Sequence, residues 1–203
     1  MKLTAIKAQV KNPERVSIYI DGIYAFSLNH VQLLEEKLHV GLEISEPRLT
    51  ALKKTSDFGK AFERALMYVM LRPRSVLEVK HYARRKQWSP EDTEVIIAKL
   101  TTKNYLSDEA FARSWVQNRV LHKHVSLRKL QQELRQKGVS DSIIRRVLAA
   151  SDFSEGDSLR ALVAKKRTLA RYQDQTKLMR YLAGQGFGYD EIKAALEPDS
   201  QNL

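Results

Sequence analysis

The spacing of apolar residues divides the chain into a short N-terminal part and a longer C-terminal part. In the first part, apolar and polar residues alternate over Leu3–Val10, Arg15–Ile20 and Ile23–Leu28. A period of two predicts β-strands. Asn12–Pro13 and Asp21–Gly22 separate these segments, and both dipeptides favour turns. The pattern therefore predicts a three-stranded meander.

A sheet of three strands needs an apolar cover to be stable. The segment from Asn29 to Lys37 contains Val31, Leu33 and Leu34, and we expect it to pack across the sheet as a short helix capped by Asn29. A linking segment is predicted around residues 55–59, where the period changes.

From Lys60 onward the apolar spacing is helical, and the sequence repeats itself. A shift of 48 residues superposes Leu134 on Leu182 and Gly138 on Gly186, and an earlier copy lies 49 to 51 residues upstream. Each copy carries three apolar-periodic segments, the second of which ends at a glycine in the later two copies. The repeat predicts three small three-helix units over about residues 60–196.

These patterns together predict a mainly α fold, in which three tandem three-helix repeats form an elongated array behind a small N-terminal β-meander with a short helix. The expected divisions are 1–57 for the meander and helix, 58–106 for repeat 1, 107–153 for repeat 2 and 154–203 for repeat 3.

Composition narrows the function classes. The chain has no cysteine, which excludes disulfides, thiolate metal sites and cysteine nucleophiles and favours a cytoplasmic location. The longest apolar run, Ala65–Leu71, is too short to cross a membrane. Net charge is +11, and residues 1–57 contribute only +1 of it. A basic C-terminal part favours nucleic acid, or a partner that carries it.

Basic residues recur on the second helix of each repeat and on the connections beside it. Arg84 and Arg135 occupy equivalent positions, and Arg128 lies on the same helix face as Arg135. They could form a repeated binding face, or they could simply solvate exposed helices. The candidate partner- or nucleic-acid-binding residues are Arg72, Arg74, Arg84, Arg85, Arg119, Lys123, Arg128, Arg135, Lys165, Lys166 and Arg167.

Two of these candidates flank a proline. Because Pro73 interrupts the helix, Arg72 and Arg74 lie on either side of a turn, and Ser75 can cap the helix that follows. The arginines could hold phosphates or acidic residues bidentately, or they could cap carbonyls at the end of the preceding helix. The sequence leaves both alternatives open.

Other chemistry finds little support. Trp88 and Trp115 could stack on bases, but both fall on core positions of the repeat, which favours packing. His122 and His124 are too close in sequence to share a helix face and have no third ligand. The glycines of 184–188 mark a helix–helix turn. We expect no metal, no cofactor and no enzymatic activity, since no catalytic motif is present.

Four segments carry a resemblance to a known family. They are Leu71–Ser75, Asn104–Ala112, Lys129–Gly138 and Gln185–Phe187. In order, spacing and repeat phase these segments resemble the RecX family, the bacterial regulatory proteins of the RecA recombinase, over about residues 60–197. The N-terminal hairpins resemble an extension that some members of the family have. Lys86-Gln87-Trp88 departs from the Lys-Gly pattern, which predicts a different closing turn in repeat 1, and Ser107 stands where an acid is usual.

The resemblance implies a non-catalytic regulator or inhibitor that binds in the groove of the RecA–DNA filament and modulates recombination, DNA repair and the SOS response. Its partners would be the filament and, more weakly, single- or double-stranded DNA, with no membrane, and the protein is expected to be a monomer. The alternative is a direct DNA- or RNA-binding protein, because stacked three-helix units can mimic helix-turn-helix geometry.

Overall fold

The computed structural model describes residues 1–122 and 124–197. These residues form three strands, ten α-helices and one short 3-10 turn at Ala170–Tyr172. The strands are β1 (Leu3–Ala8), β2 (Arg15–Ile20) and β3 (Ile23–Asn29). The helices are α1 (His30–Glu35), α2 (Glu46–Met70), α3 (Val76–Arg85), α4 (Pro90–Thr102), α5 (Asp108–His122), α6 (Leu127–Gln136), α7 (Asp141–Ala149), α8 (Glu155–Arg167), α9 (Gln175–Gly184) and α10 (Tyr189–Leu196). The predicted mainly helical fold with a small N-terminal sheet is confirmed.

The N-terminal sheet is the predicted antiparallel meander, in the order β1-β2-β3. Asp21 and Gly22 both have positive φ in the turn between β2 and β3, as a two-residue hairpin turn requires. The predicted cap of α1 is also present, because Asn29 Oδ1 accepts the backbone N–H of Gln32 at 2.8 Å and Gln32 Oε1 accepts that of Asn29 at 3.1 Å. This reciprocal capping box fixes the start of α1.

The predicted linking segment at residues 55–59 is wrong, because α2 runs through it without a break. Its small residues serve close packing. Ser56 is buried and donates to the Ser27 carbonyl at 2.6 Å. A Cβ on Gly59 would lie 2.4 Å from Gln32 Nε2. The small side chains of Ser56 and Gly59 let α2 approach the sheet and α1 closely. The same small residues made this part of the helix resemble a linker in the sequence.

The closing turn of each second helix has the same geometry in all three repeats. Gln87, Gly138 and Gly186 all have positive φ, between 57° and 93°. The next residue donates its N–H to a carbonyl five positions back each time, at 3.1, 3.1 and 3.4 Å, as in a Schellman motif. The prediction of a different turn at Lys86–Trp88 is therefore wrong, since Gln87 adopts the left-handed conformation of the glycines.

The described chain divides into two compact units, residues 1–71 with 83–100, and residues 72–82 with the chain from residue 101 on. In the first unit, sheet residues such as Ile18 and Leu28 pack with Leu52 of α2. In the second, one core cluster is built around Phe111 and Leu134 and another around Leu182. The four predicted divisions stay a prediction.

Candidate functional site

The predicted basic residues are mostly exposed helix-surface groups. Arg84 and Arg85 lie in the last turn of α3, and Arg135 lies in the last turn of α6. Arg135 donates to Asp141 at 2.7 Å, and both side chains are more than half exposed. Lys123 lies outside the described residues. Ion pairs between exposed side chains, such as that of Arg135 with Asp141, contribute little to folding.

Arg72 has a partner within the chain. Its guanidinium contacts both carboxylate oxygens of Glu78, at 3.0 and 3.2 Å, and donates to the Pro73 carbonyl at 2.8 Å. Of the two alternatives, the structure shows a bidentate acid pair, and the acid belongs to this chain. Ser75 caps α3 as predicted, by accepting the Glu78 N–H at 3.2 Å. Arg74 is half-buried in the same turn.

Arg119 belongs to a compact cluster on α5 and α6. Its Nε donates to Glu133 at 2.7 Å, and its guanidinium lies 4.5 Å from the ring centre of Trp115. Trp115 packs against Phe111 and donates its indole N–H to the same Glu133 at 2.9 Å. The predicted packing role of Trp115 is confirmed in part, since the ring is half-buried and its polar edge is satisfied. Two of the predicted binding residues, Arg72 and Arg119, are therefore ion-paired within the chain.

The three predicted binding residues on α8 differ in their contacts. Arg167 donates to the Leu196 carbonyl at 3.1 Å, which ties α8 to α10. Lys166 lies 4.7 Å from the ring centre of Tyr181 and 5.5 Å from that of Tyr172. Lys165 is exposed. Arg167 thus has a structural contact, whereas the two lysines face a cleft.

Successive repeats meet at two junctions of the same design. In the first junction, Asp108 of α5 accepts the Val76 N–H at 2.8 Å at the start of α3. In the second, Glu155 of α8 accepts the Leu127 N–H at 2.9 Å at the start of α6. Burial raises the pKa of Asp108 and of Glu155, against the lowering effect of these hydrogen bonds. Repeats 2 and 3 therefore each begin with an acid that caps the second helix of the preceding repeat.

The two junctions differ in charge. Glu78 and Lys137 pair at 3.3 Å across the first junction. The equivalent positions of the second junction hold Lys129 and Gln185, which contact each other at 2.5 Å. Burial alone would raise the pKa of Glu78, but Arg72 and Lys137 outweigh it and lower that pKa. Glu78 thus neutralises cations at the first junction, whereas the second junction has Lys129 in the place of this acid and a neutral amide in the place of Lys137.

A cleft of about 290 Å³ opens at the second junction, between α6, α8 and α9, and we call it the lysine cleft. Its lining residues are His124, Val125, Lys129, Glu133, Leu162, Lys165, Lys166, Tyr181 and Gln185. Glu133 is its one acid, and the Arg119 and Trp115 side chains hold that carboxylate. A cleft of about 490 Å³ at the first junction is lined by residues that include Arg72, Pro73 and Trp115.

Sequence reasoning missed Lys129, Lys137, Glu78 and Gln185 as functional candidates. The signal was present in the repeat alignment, because Glu78 superposes on Lys129 and Lys137 on Gln185, which exchanges the acid for a base and the base for an amide. Reading the alignment for charge as well as for apolar residues would have found them.

In the part of the chain that the structure describes, no group of three or more His, Cys, Asp or Glu side chains is placed to hold a metal ion. Across the same residues, no helix combines the length and the apolar character needed to span a membrane.

Three family models match the chain. They describe the N-terminal domain of regulatory protein RecX (residues 1–45), the second three-helix domain of RecX (residues 107–148) and its third three-helix domain (residues 155–196). The N-terminal match agrees with the predicted resemblance of the hairpins to a RecX extension.

Whole-chain relatives show the same likeness. The chain is 32% identical to regulatory protein RecX of Bacillus licheniformis, over 98% of its own length and 78% of the relative's, and 29% identical to that of Bacillus subtilis, over 96% and 76%. A crystal structure of regulatory protein RecX superposes with a TM-score of 0.76 at 26% identity, covering 96% of this chain and 98% of the other. That of RecX from Lactobacillus salivarius, at 23% identity, shares the fold with a TM-score of 0.59, covering 69% and 94%.

Proposed function

Because this chain belongs to the RecX family of regulatory proteins, we propose that it regulates the RecA recombinase by binding in the groove of the RecA–DNA filament and hindering its activity. It acts by binding, as a cytoplasmic monomer, and modulates recombination and DNA repair. The observation that carries the proposal is the pair of exposed arginines, Arg84 and Arg135, each in the last turn of the second helix of its repeat.

A filament offers the same acidic or phosphate group at regular intervals, and a repeat protein can carry the same cation at equivalent positions of its repeats. Arg84 and Arg135 occupy equivalent repeat positions and are exposed, so each could meet an equivalent group on the filament. Arginine suits this role because its planar guanidinium binds carboxylate and phosphate bidentately. Other exposed cations of the second unit, such as Arg128 and Lys165, would add to the field that attracts the filament.

The test reverses the charge of both arginines. In the Arg84→Glu/Arg135→Glu variant, inhibition of DNA-dependent ATP hydrolysis by RecA should fall by at least about tenfold in potency, because two charge-assisted contacts become repulsive. The matched control is Arg145→Glu/Arg180→Glu, which reverses two other exposed arginines. Inhibition by the first variant that equals the wild type, with an unchanged melting temperature, would contradict the repeated-face proposal.

A second candidate function is direct binding of DNA or RNA, which the net charge of +11 favours. The two functions are separated by measuring the affinity of the protein for bare DNA and for the RecA–DNA filament at the same salt concentration. A filament regulator binds the filament more tightly. Equal affinities would favour the direct nucleic-acid binder.

A further inference from the structure

We propose that the lysine cleft at the second junction is a phosphate-binding site. Phosphate binding does not depend on RecA regulation. Only the extension of this proposal to a polynucleotide rests on the nucleic-acid binding described above.

The first step of the argument is an excess of positive charge in a concave place. Lys129, Lys165 and Lys166 line one cleft. Among the described residues none of the three pairs with a carboxylate. The one acid in the lining, Glu133, is already held by Arg119 at 2.7 Å. Three ammonium groups around one cavity repel one another, and an anion in the cleft would relieve that repulsion.

The second step is the contrast with the first junction. There the cations are matched by an acid, because Glu78 binds both Arg72 and Lys137. At the second junction the position equivalent to Glu78 holds Lys129, so a further cation stands where the first junction has its acid. Its partner across the junction, Gln185, accepts from Lys129 through the amide oxygen and adds no charge. The charge of the cleft is therefore left for a ligand.

The third step is the chemistry of the lining groups. Besides the ammonium groups, the cleft presents the His124 ring, the Tyr181 hydroxyl-bearing ring and the Gln185 amide. All can donate hydrogen bonds to oxygen. A phosphate group has several acceptor oxygens arranged around a compact charge, and lysine binds it as a point charge. The volume of about 290 Å³ admits a phosphate with its attached group.

Two residues that line the lysine cleft have equivalents at the first junction with other side chains. His124 is equivalent to Pro73, and Lys166 is equivalent to Asn118. Both changes add a donor or a positive charge at the second junction. The cleft at the first junction is thus the internal control for the proposal, with a related position in the fold and its cations neutralised.

The test uses the full chain without RecA and two probes at low ionic strength, inorganic phosphate and an oligodeoxythymidylate. Binding is measured by calorimetric titration and by amide NMR shifts, which we expect to be largest around Lys129, Tyr181 and Gln185. A response to phosphate alone identifies a small phosphate ligand, and a response to the oligonucleotide identifies a polynucleotide backbone. Either result, with shifts confined to the cleft, supports the proposal.

The decisive variant is Gln185→Glu, which gives the second junction an acid–lysine pair like that of the first junction, with the acid and the base exchanged between the two repeats. It should fold normally and weaken probe binding about tenfold, because an internal carboxylate now competes with the phosphate. Lys165→Gln removes one exposed charge and should weaken binding several-fold. For the oligonucleotide, it should also reduce the log–log salt slope by about 0.7 for a lost phosphate contact. Lys193→Gln, an exposed lysine of α10, is the matched control and should leave binding unchanged.

Three outcomes would overturn the proposal. One is the absence of binding of both probes by the wild-type chain. Another is probe binding that Gln185→Glu and Lys165→Gln leave unchanged while circular dichroism shows folded protein. The third is binding of an oligoglutamate peptide with no binding of either phosphate probe, which would make the cleft a site for an acidic protein segment. Inhibition of RecA is measured separately on the same variants, so the failure of this site is distinguishable from the failure of the regulatory function.

Discussion

At the first junction a glutamate of one repeat meets a lysine of the next, whereas at the second junction a lysine meets a glutamine. The closing turn and the acid that caps the preceding second helix are the same in both. What differs is whether the cations are balanced by an acid of the chain. The Glu78 carboxylate pairs with two cations, Arg72 and Lys137, whereas the uncharged Gln185 amide accepts a hydrogen bond from Lys129. The comparison teaches that the same backbone arrangement can balance its cations with an internal acid at one junction and leave a lysine with only a neutral partner at the other.

The largest expected effect tests how tightly each junction is packed. A Cβ on Gly138 would lie 2.7 Å from Leu77 Cβ, an atom that only a backbone shift can move. Gly138 also has a φ of 79°. Gly138→Ala should therefore lower the free energy of unfolding by about 2 to 4 kcal/mol, through left-handed strain and overpacking. Chemical denaturation followed by circular dichroism measures it.

Gly186→Ala sharpens this prediction. Its Cβ would meet Ser126 Oγ at 2.6 Å, and a hydroxyl can rotate away at the cost of its hydrogen bond to the Gln185 carbonyl. The loss should be smaller than at Gly138, by about 1 kcal/mol. Gly184→Ala is the control, because nothing lies within 4 Å of its Cβ. An equal loss at all three glycines would contradict the packing difference.

The second prediction concerns the ion pairs. Glu78→Gln leaves Arg72 and Lys137 without their carboxylate, and Glu78 has a side chain only 12% exposed. The expected cost is about 1 to 3 kcal/mol of unfolding free energy, since a charge-assisted network loses its centre. Lys129→Gln at the second junction should cost less than about 1 kcal/mol, because it breaks one contact to a neutral amide. Urea titration of both variants makes the comparison, and equal costs would show that the junctions do not differ in internal charge balance.

The third prediction is the pH dependence of the first junction. The pKa of Glu78 is lowered in the folded state, so its contribution to stability is present above the ordinary glutamate pKa and is lost as pH falls through the lowered value. The stability difference between wild type and Glu78→Gln should therefore shrink on acidification in that range. Thermal melts at a series of pH values below neutrality measure it. A difference that stays constant to the most acid pH would refute the ion-pair origin.

The smallest expected effect belongs to the capping acid of the second junction. Burial raises the pKa of Glu155, and nearby Glu191 adds to this rise against the hydrogen bond from Leu127. A raised carboxyl pKa means that the folded state binds a proton more tightly than the unfolded state, so stability falls as pH rises from the ordinary value to the raised one. Glu155→Gln keeps an acceptor oxygen and should change stability by less than about 1 kcal/mol at neutral pH, while removing that fall. Melts of the variant beside wild type across the acid range test the sign, and a variant whose melts keep the same fall would contradict the assignment.

Local features of the fold could be predicted because their causes lie close together in sequence. The alternation in β2 and β3, the Asn29 cap and the glycine that closes α6 each depend on a few neighbouring residues. The linker at residues 55–59 was predicted wrongly because the reason for Ser56 and Gly59 lies in Ser27 and Gln32. Packing against a distant element cannot be seen in a local pattern.

The site divides in the same way. The sequence by itself determined the excess of basic residues in 58–203, the presence of three tandem repeats and the equivalent repeat positions of Arg84 and Arg135. Only the tertiary structure decided which cations are already neutralised, because an ion pair such as Glu78–Lys137 joins residues 59 positions apart. Charge is a property of composition, but charge available to a partner is what remains after folding has brought acids and bases together, and that remainder is set by distances of a few ångströms in three dimensions.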